Sequence, residues 1–280
     1  MHVWSTRSWL VLAVLAAACG DNRTHPDPDR YVPPDPDPLG CVPDLDGRID
    51  ADELPVALGV PVSFLVSPAG AERPVDLIGR VSPDGRRVWG WSGAVPEDQL
   101  ADQAAAPLEG RWYADAFPGG EMVLPIDAGA RVEGVYIEDD RALWLLGVAS
   151  SEADPPEGRT IMVYDAPVAL YRFPVEPGSA HVATGQVRDG TFRGLPYAGR
   201  DVYEVSVDAV GVIELPDLTF EQAHRVRTRV TVEPAVGAST SRRQVSWLFE
   251  CFGEVARATS RPDETEQDFT IAAEVRRLAL

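Results

Sequence analysis

Arg225-Val226-Arg227-Thr228-Arg229-Val230-Thr231-Val232 is the stretch on which the class of fold turns. Its apolar residues recur every second position, the period of a strand with one face buried and one wet. Val226, Val230 and Val232 are predicted to face a core, and Arg225, Arg227 and Arg229 to face water. The same period appears upstream at 201–207, where Tyr203, Val205 and Val207 share a face before a turn at 208–211 and a further strand at 212–215. Downstream, 244–259 reads as the longest strand, with Val245, Trp247, Phe249 and Cys251 on one side and Gly253 marking a bulge. Phe269, Ile271, Ala273 and Val275 give a last strand.

Toward the N-terminus the pattern continues. Residues 61–66 form a short strand. Residues 74–81 and 86–91 flank Ser82-Pro83-Asp84-Gly85, a type I turn sequence, and Trp89 and Trp91 lie on one face. Residues 96–105 are the best helix candidate, because Pro96 suits a first turn and Glu97 and Asp98 complement the helix dipole. Hairpins are predicted for 111–116 with 121–126, across Pro118-Gly119-Gly120, and for 132–137 with 142–148, tipped by Glu138-Asp139-Asp140. Strands at 160–164 and 168–173, broken at Pro167, and at 181–187 complete roughly a dozen, by the alternation rule. Short turns between consecutive strands imply antiparallel neighbours and a meander. The expected fold is all-β, one large curved antiparallel sheet forming an open or half barrel, with few short helices. A two-sheet β-sandwich is the alternative.

The first residues read differently. Arg7 precedes an apolar run from Trp9 to Ala18, which closes on Leu15-Ala16-Ala17-Ala18-Cys19-Gly20. This is a secretory signal by its charged start, short apolar core and small residues. It resembles the lipobox of bacterial lipoproteins, although Ala16 stands where leucine is commoner and Leu15 is one place early. The resemblance implies a signal peptide over 1–18, acylation (palmitate among the acyl chains) of Cys19, and a membrane anchor in the cell envelope. Gly20 after the cysteine, rather than Asp, points to the outer membrane over the inner, and leaves open which side the protein faces. An ordinary cleaved signal followed by a chance cysteine is the other reading.

Removing 1–18 from the 280 residues leaves enough chain for one large domain or two small ones. The formal charge of −19 repels phosphate backbones and excludes nucleic acid as a partner. All 25 basic residues are arginine. Walker-type phosphate loops, protein-kinase sites and Schiff-base enzymes, which need a lysine, are therefore excluded. With Cys19 assigned to lipid, Cys41 and Cys251 remain as an even pair in an oxidising compartment, and a disulfide is predicted between them. Closing so long a loop stabilises by up to roughly 5 kcal/mol on the chain-entropy model. Two free buried thiols are the alternative.

Residues 19–40 carry alternating Asp and Pro, which forms neither helix nor sheet, and are expected to serve as an extended tether. Residues 41–55 contain Asp44-Leu-Asp46-Gly47-Arg-Ile49-Asp50-Ala-Asp52-Glu53. This spacing resembles part of an EF-hand or dockerin calcium loop, with Asp44, Asp46, Asp50 and Glu53 on ligand places three, five, nine and twelve. The resemblance implies calcium held by those four carboxylates. Val42, which cannot coordinate, occupies the first ligand place, and prolines block a preceding helix. An acidic turn with no ion is the alternative. Residues 56–280 form the β domain.

No His-Glu-x-x-His, zinc cluster or Gly-x-Ser-x-Gly occurs, and His181 two residues after Ser179 reads as a strand-start residue. Trp89, Trp91, Trp112, Trp144 and Trp247 fall on predicted strands, as core filling or as a flat binding platform. The 208–227 pattern, Asp-x-x-Gly-x-Ile-x-Leu-Pro-x-x-Thr-Phe followed by Arg-Val-Arg, is similar to a hairpin of uncharacterised exported β proteins. The layout is also similar to the curved sheets of lipoprotein carriers, without their helices. The expected function is that of a lipid-anchored envelope protein with a binding or scaffolding β domain, not an enzyme. Its partners would be the membrane through the anchor, and an apolar small molecule or an envelope protein on the concave face. A carboxylate-based envelope hydrolase and a purely structural spacer are the alternatives.

Overall fold

The computed structural model describes residues 40–280. The segments expected to be a signal peptide (1–18), a lipidated Cys19 and a tether (19–40), apart from Gly40, lie outside the described residues. Sixteen strands form one sheet. They are β1 (Val62–Val66), β2 (Arg73–Pro74), β3 (Arg80–Val81), β4 (Arg87–Gly90), β5 (Gln99–Gln103), β6 (Ala106–Pro107), β7 (Met122–Pro125) and β8 (Val132–Glu138). After them come β9 (Ala142–Ser150), β10 (Ile161–Arg172), β11 (Ala180–Phe192), β12 (Leu195–Glu214), β13 (Thr219–Pro234), β14 (Thr240–Phe249), β15 (Gly253–Ser260) and β16 (Ile271–Leu278).

From β6 to β16 the strands pair with their sequence neighbours, and β1 and then β5 add beyond β16. The meander is antiparallel throughout. Its two end strands, β5 and β6, do not pair, yet only Ala104 and Ala105 separate them in the chain. Three Cα steps reach at most about 11 Å, so the sheet curls until its edges nearly meet. Side chains bridge the seam: Gln103 Nε2 donates to the Asp127 carbonyl at 3.3 Å, and the Arg276 guanidinium donates to Gln103 Oε1 at 3.1 Å and the Ile126 carbonyl at 3.0 Å. The result is an open, barrel-like roll.

Strand alternation divides the core between the two faces of this roll. Inward positions from β7 through β14 meet in one cluster that includes Tyr136, Leu145, Tyr164, Tyr203, Val226 and Leu248. Outward positions at one flank, Val245, Trp247, Ala256 and Ala258 among them, pack under Leu77, Trp89, Trp91 and Phe269. Trp247 meets Trp89 and Trp91 edge-on at centroid distances of 5.5 and 4.5 Å. At the other flank Val123, Val135 and Ala149 are covered by Leu108, Tyr113 and Phe117.

Several expectations change for physical reasons. Arg225 and Arg227 do not face water: both are buried. Their guanidinium groups converge on Asp208, Arg225 at 2.8 Å and Arg227 at 2.5 Å, and Arg227 also reaches Asp268 at 2.5 Å. The face that alternation marks as wet is roofed by 67–98 and 261–270, which the local pattern does not reveal. The helix expected over 96–105 is instead β5, which supplies the free edge of β1 with a ladder (Val62↔Gln103 to Val66↔Gln99) and overrides helix propensity. Residues 111–116 are not a strand: Ala114–Ala116 is a 3-10 turn lying over the sheet.

The turn expected at 208–211 is absent, because β12 runs straight through it with register shifts between Val207 and Ala209 and between Gly211 and Ile213. Similarly, β10 passes Pro167 with a shift between Val163 and Val168. The strand expected over 244–259 is two, β14 and β15, joined at a turn where Cys251 has φ +65°. Gly253, at φ +70°, opens β15 opposite Phe249, and the register shift falls just beyond it, between Glu254 and Ala256. Finally, β12 overshoots β11, and the freed edge takes β4 in parallel. That approach requires a glycine, since a Cβ on Gly211 would stand 2.4 Å from the Arg87 carbonyl oxygen. The β3–β4 hairpin over 82–85 forms as its sequence implies, with Gly85 N–H donating to the Ser82 carbonyl at 2.9 Å.

Candidate functional site

The acidic loop crosses one end of the roll. Ile49 pairs with Val175, in the connection from β10 to β11, through backbone hydrogen bonds of 3.0 and 2.8 Å. Ile49 and Leu54 are buried in the inward cluster, so the loop acts as a plug. On its other side Cys41 and Cys251 form a disulfide that ties the loop to the β14–β15 turn. The Cys251 N–H donates to the Glu53 carbonyl at 2.6 Å.

This placement rearranges the acids. Asp44 and Glu53 come together with Glu250, and one carboxylate oxygen from each lies within 4.8 Å of the others. Asp46 and Asp50 turn instead to Arg48, at 3.1 and 3.2 Å. Glu250 is almost fully buried. Its Oε2 accepts the Leu45 N–H at 2.9 Å, while Oε1 has no hydrogen-bond partner. Glu53 Oε2 accepts the Asp50 N–H at 2.9 Å. Burial pushes the Glu53 carboxyl up, the Asp50 amide opposes this, and the charges of Glu250, Asp44 and Asp50 push it further up. The neighbouring His224 is buried, with Nε2 3.0 Å from the Gly47 carbonyl and Nδ1 unpartnered, and burial lowers its pKa. Glu250 has no motif-level signal. Its position, two past Leu248, just beyond the end of β14 and next to a cysteine predicted to be bridged to the loop, is the only pointer that the sequence contains.

Inside the roll the inward residues complete a polar network. Glu254 Oε2 accepts from Ser246 Oγ at 2.7 Å and from Arg257 Nε at 2.9 Å. Tyr136 and Tyr171, from the opposite wall, pack beside this pair. Burial raises both phenols, Tyr136 to about 12. Tyr164 Oη donates to Asp201 Oδ2 at 2.6 Å, and burial raises the Asp201 carboxyl. Asp201 is legible in retrospect, as period two puts it on the face of Tyr203.

The outer surface between the two covered flanks carries an open cleft of about 510 Å³ on β11 to β14, lined by Glu204, Ser206, Thr228, Arg229, Arg243 and Gln267 among others. Arg229 and Arg243 stand directly opposite one another on paired strands. Arg243 donates to the Glu264 and Thr265 carbonyls at 3.0 and 3.2 Å; Arg229 reaches Glu204 at 3.4 Å and its Nε has no acceptor. Like charges in register repel. His181 is half-buried, with Nε2 2.9 Å from the Ala169 carbonyl, a structural contact. Trp89, Trp91 and Trp247 fill core, whereas Trp112 and Trp144 are partly exposed and donate to the Ser150 carbonyl and to Asp139.

No family model, curated protein or solved structure matches the chain.

Proposed function

We propose that this chain is a lipid-anchored envelope protein whose β roll binds or scaffolds a protein partner through its outer face. The carrying observation is where free volume lies. The inward face is taken up by the protein's own tyrosines, valines and leucines and by the Glu254–Arg257 pair, while the outer cleft is open and carries Glu204, Arg229 and Arg243. Two arginines without full acid partners make that cleft suited to carboxylate and amide groups on a protein surface, against the overall negative charge of the chain. The lipobox-like segment supplies the membrane end of the reading, and the Asp/Pro tether supplies reach.

Two measurements test it. Cys19→Ser moves the protein from the membrane to the soluble fraction of cells; continued membrane association rejects the anchor. A photo-crosslinking residue at Val182, exposed at the cleft rim, gives one discrete adduct in cells that Arg229→Ala with Arg243→Ala abolishes. An adduct indifferent to both arginines, or none, rejects the cleft.

A further inference from the structure

We infer that Asp44, Glu53 and Glu250 form a calcium site that locks the plug onto the sheet. The three carboxylates come from two parts of the chain that the fold brings together, the loop and the turn that follows β14. Calcium takes six to eight oxygens at about 2.3–2.6 Å, so oxygens across such an ion stand about 4.6–5.2 Å apart. A spread within 4.8 Å fits that shell.

Electrostatics makes the same demand. Among the described residues, none of the three carboxylates has an arginine partner, because Arg48 is engaged by Asp46 and Asp50. Glu250, which contributes a carboxylate oxygen to the cluster, is 1% exposed and leaves Oε1 without a hydrogen-bond partner. A buried carboxylate with no counter-charge is unfavourable, and two further carboxylates close beside it make it more so. A hard divalent cation removes that cost. Carboxylate-only donors favour calcium or magnesium over zinc and copper, and the spread suits the larger ion. Backbone carbonyls and water complete the shell. The first ligand place of the contiguous loop, where Val42 cannot serve, is thus answered by an acid about two hundred residues downstream, beside the disulfide. This site is independent of the anchor and of the outer cleft.

The experiment is calcium chloride titrated calorimetrically into the full chain, purified in detergent and stripped with chelator, with thermal melts in parallel. The expected result is one calcium per chain, a melting point raised by about 5 °C or more at a hundredfold excess over Kd, and magnesium binding at least tenfold weaker. Glu250→Gln and, separately, the surface substitution Asp44→Asn lower calcium affinity at least tenfold. Both leave the chelator-stripped melting point unchanged or higher, since each relieves repulsion. Asp46→Asn with Asp50→Asn retains binding within threefold. No calcium uptake by the unsubstituted chain overturns the site. So does loss of binding in the Asp46/Asp50 variant with retention in Glu250→Gln, which would return the ion to the contiguous loop.

Discussion

Asp208→Asn isolates the buried arginine pair. Asp208 is the anion for both Arg225 and Arg227, whose side chains are each 8% exposed. With the charge removed, Arg227 keeps Asp268, but Arg225 keeps only the Leu77 carbonyl and its place over the Trp89 ring, 5.3 Å from the centroid. Breaking a buried pair by removing one partner costs about 3–5 kcal/mol. Asp208 is itself 30% exposed, which places the cost near the lower end, about 3 kcal/mol, or about 6–12 °C in melting point for a domain of this size. Burial by itself would raise the Asp208 carboxyl, but the hydrogen bonds and charges of Arg225 and Arg227 outweigh it and hold the pKa below the ordinary 3.8. A depressed folded pKa means that this stabilisation is complete above the unfolded value and is lost as pH falls through the folded one. The gap between wild type and variant should therefore be constant from neutral pH down to about 5 and close below about 4. Urea unfolding followed by tryptophan fluorescence measures it, with Trp89 as the local reporter. Arg225→Met in the Asp208→Asn background should recover at least half of the loss, because it removes the stranded charge. A melting point within about 2 °C of wild type for Asp208→Asn, or no recovery in the double variant, refutes the account.

Three further outcomes are expected. Reduction of the Cys41–Cys251 bond, or Cys251→Ser, lowers stability by up to roughly 5 kcal/mol, read as the difference between denaturation curves with and without reductant; coincident curves contradict the closed loop. Trp247→Ala, which removes the ring between Trp89 and Trp91, costs about 4 kcal/mol, and a loss under about 1 kcal/mol in the same assay would mean that the outer flank is not a packed core. Glu138 is pushed up to about 7 by burial and by the Glu121 charge, from an ordinary 4.5. A raised carboxyl pKa makes stability fall as pH rises from about 4.5 to about 7. Glu138→Gln should then gain on wild type between pH 5 and pH 8, and an identical pH profile for the two rejects the shift.

How much of this was legible depended on range. Period two found the sheet, the faces of Tyr203 and Val226 and the 132–148 hairpin, and the Ser-Pro-Asp-Gly sequence found the 82–85 turn, because each is set by neighbours a few residues apart. Cysteine parity found the disulfide. What failed was packing decided by a distant segment. Arginine at 225 and 227 reads as surface until the 67–98 and 261–270 coverings are placed over it. The sequence Gln99-Leu-Ala-Asp-Gln103 reads as helix until the edge of β1 asks for a partner. The loop acids showed the same limit: Asp44 and Glu53 belong to the cluster, while Asp46 and Asp50 answer to Arg48, and Glu250 could be found only once the loop was docked.

The disulfide also sets how the domain carries mechanical load. A pull applied to the chain ahead of Cys41 is delivered through sulfur to Cys251, at the turn between two central strands, and bypasses the 210 residues of backbone between them. Against a load at the C-terminus, only residues 252–280 can pay out, about 100 Å of extended chain. The plug and strands β6 to β13 lie off the line of force, whereas β15, β16 and the 261–270 covering, which carries Gln267 of the cleft and the carbonyls that hold Arg243, lie on it and would yield first.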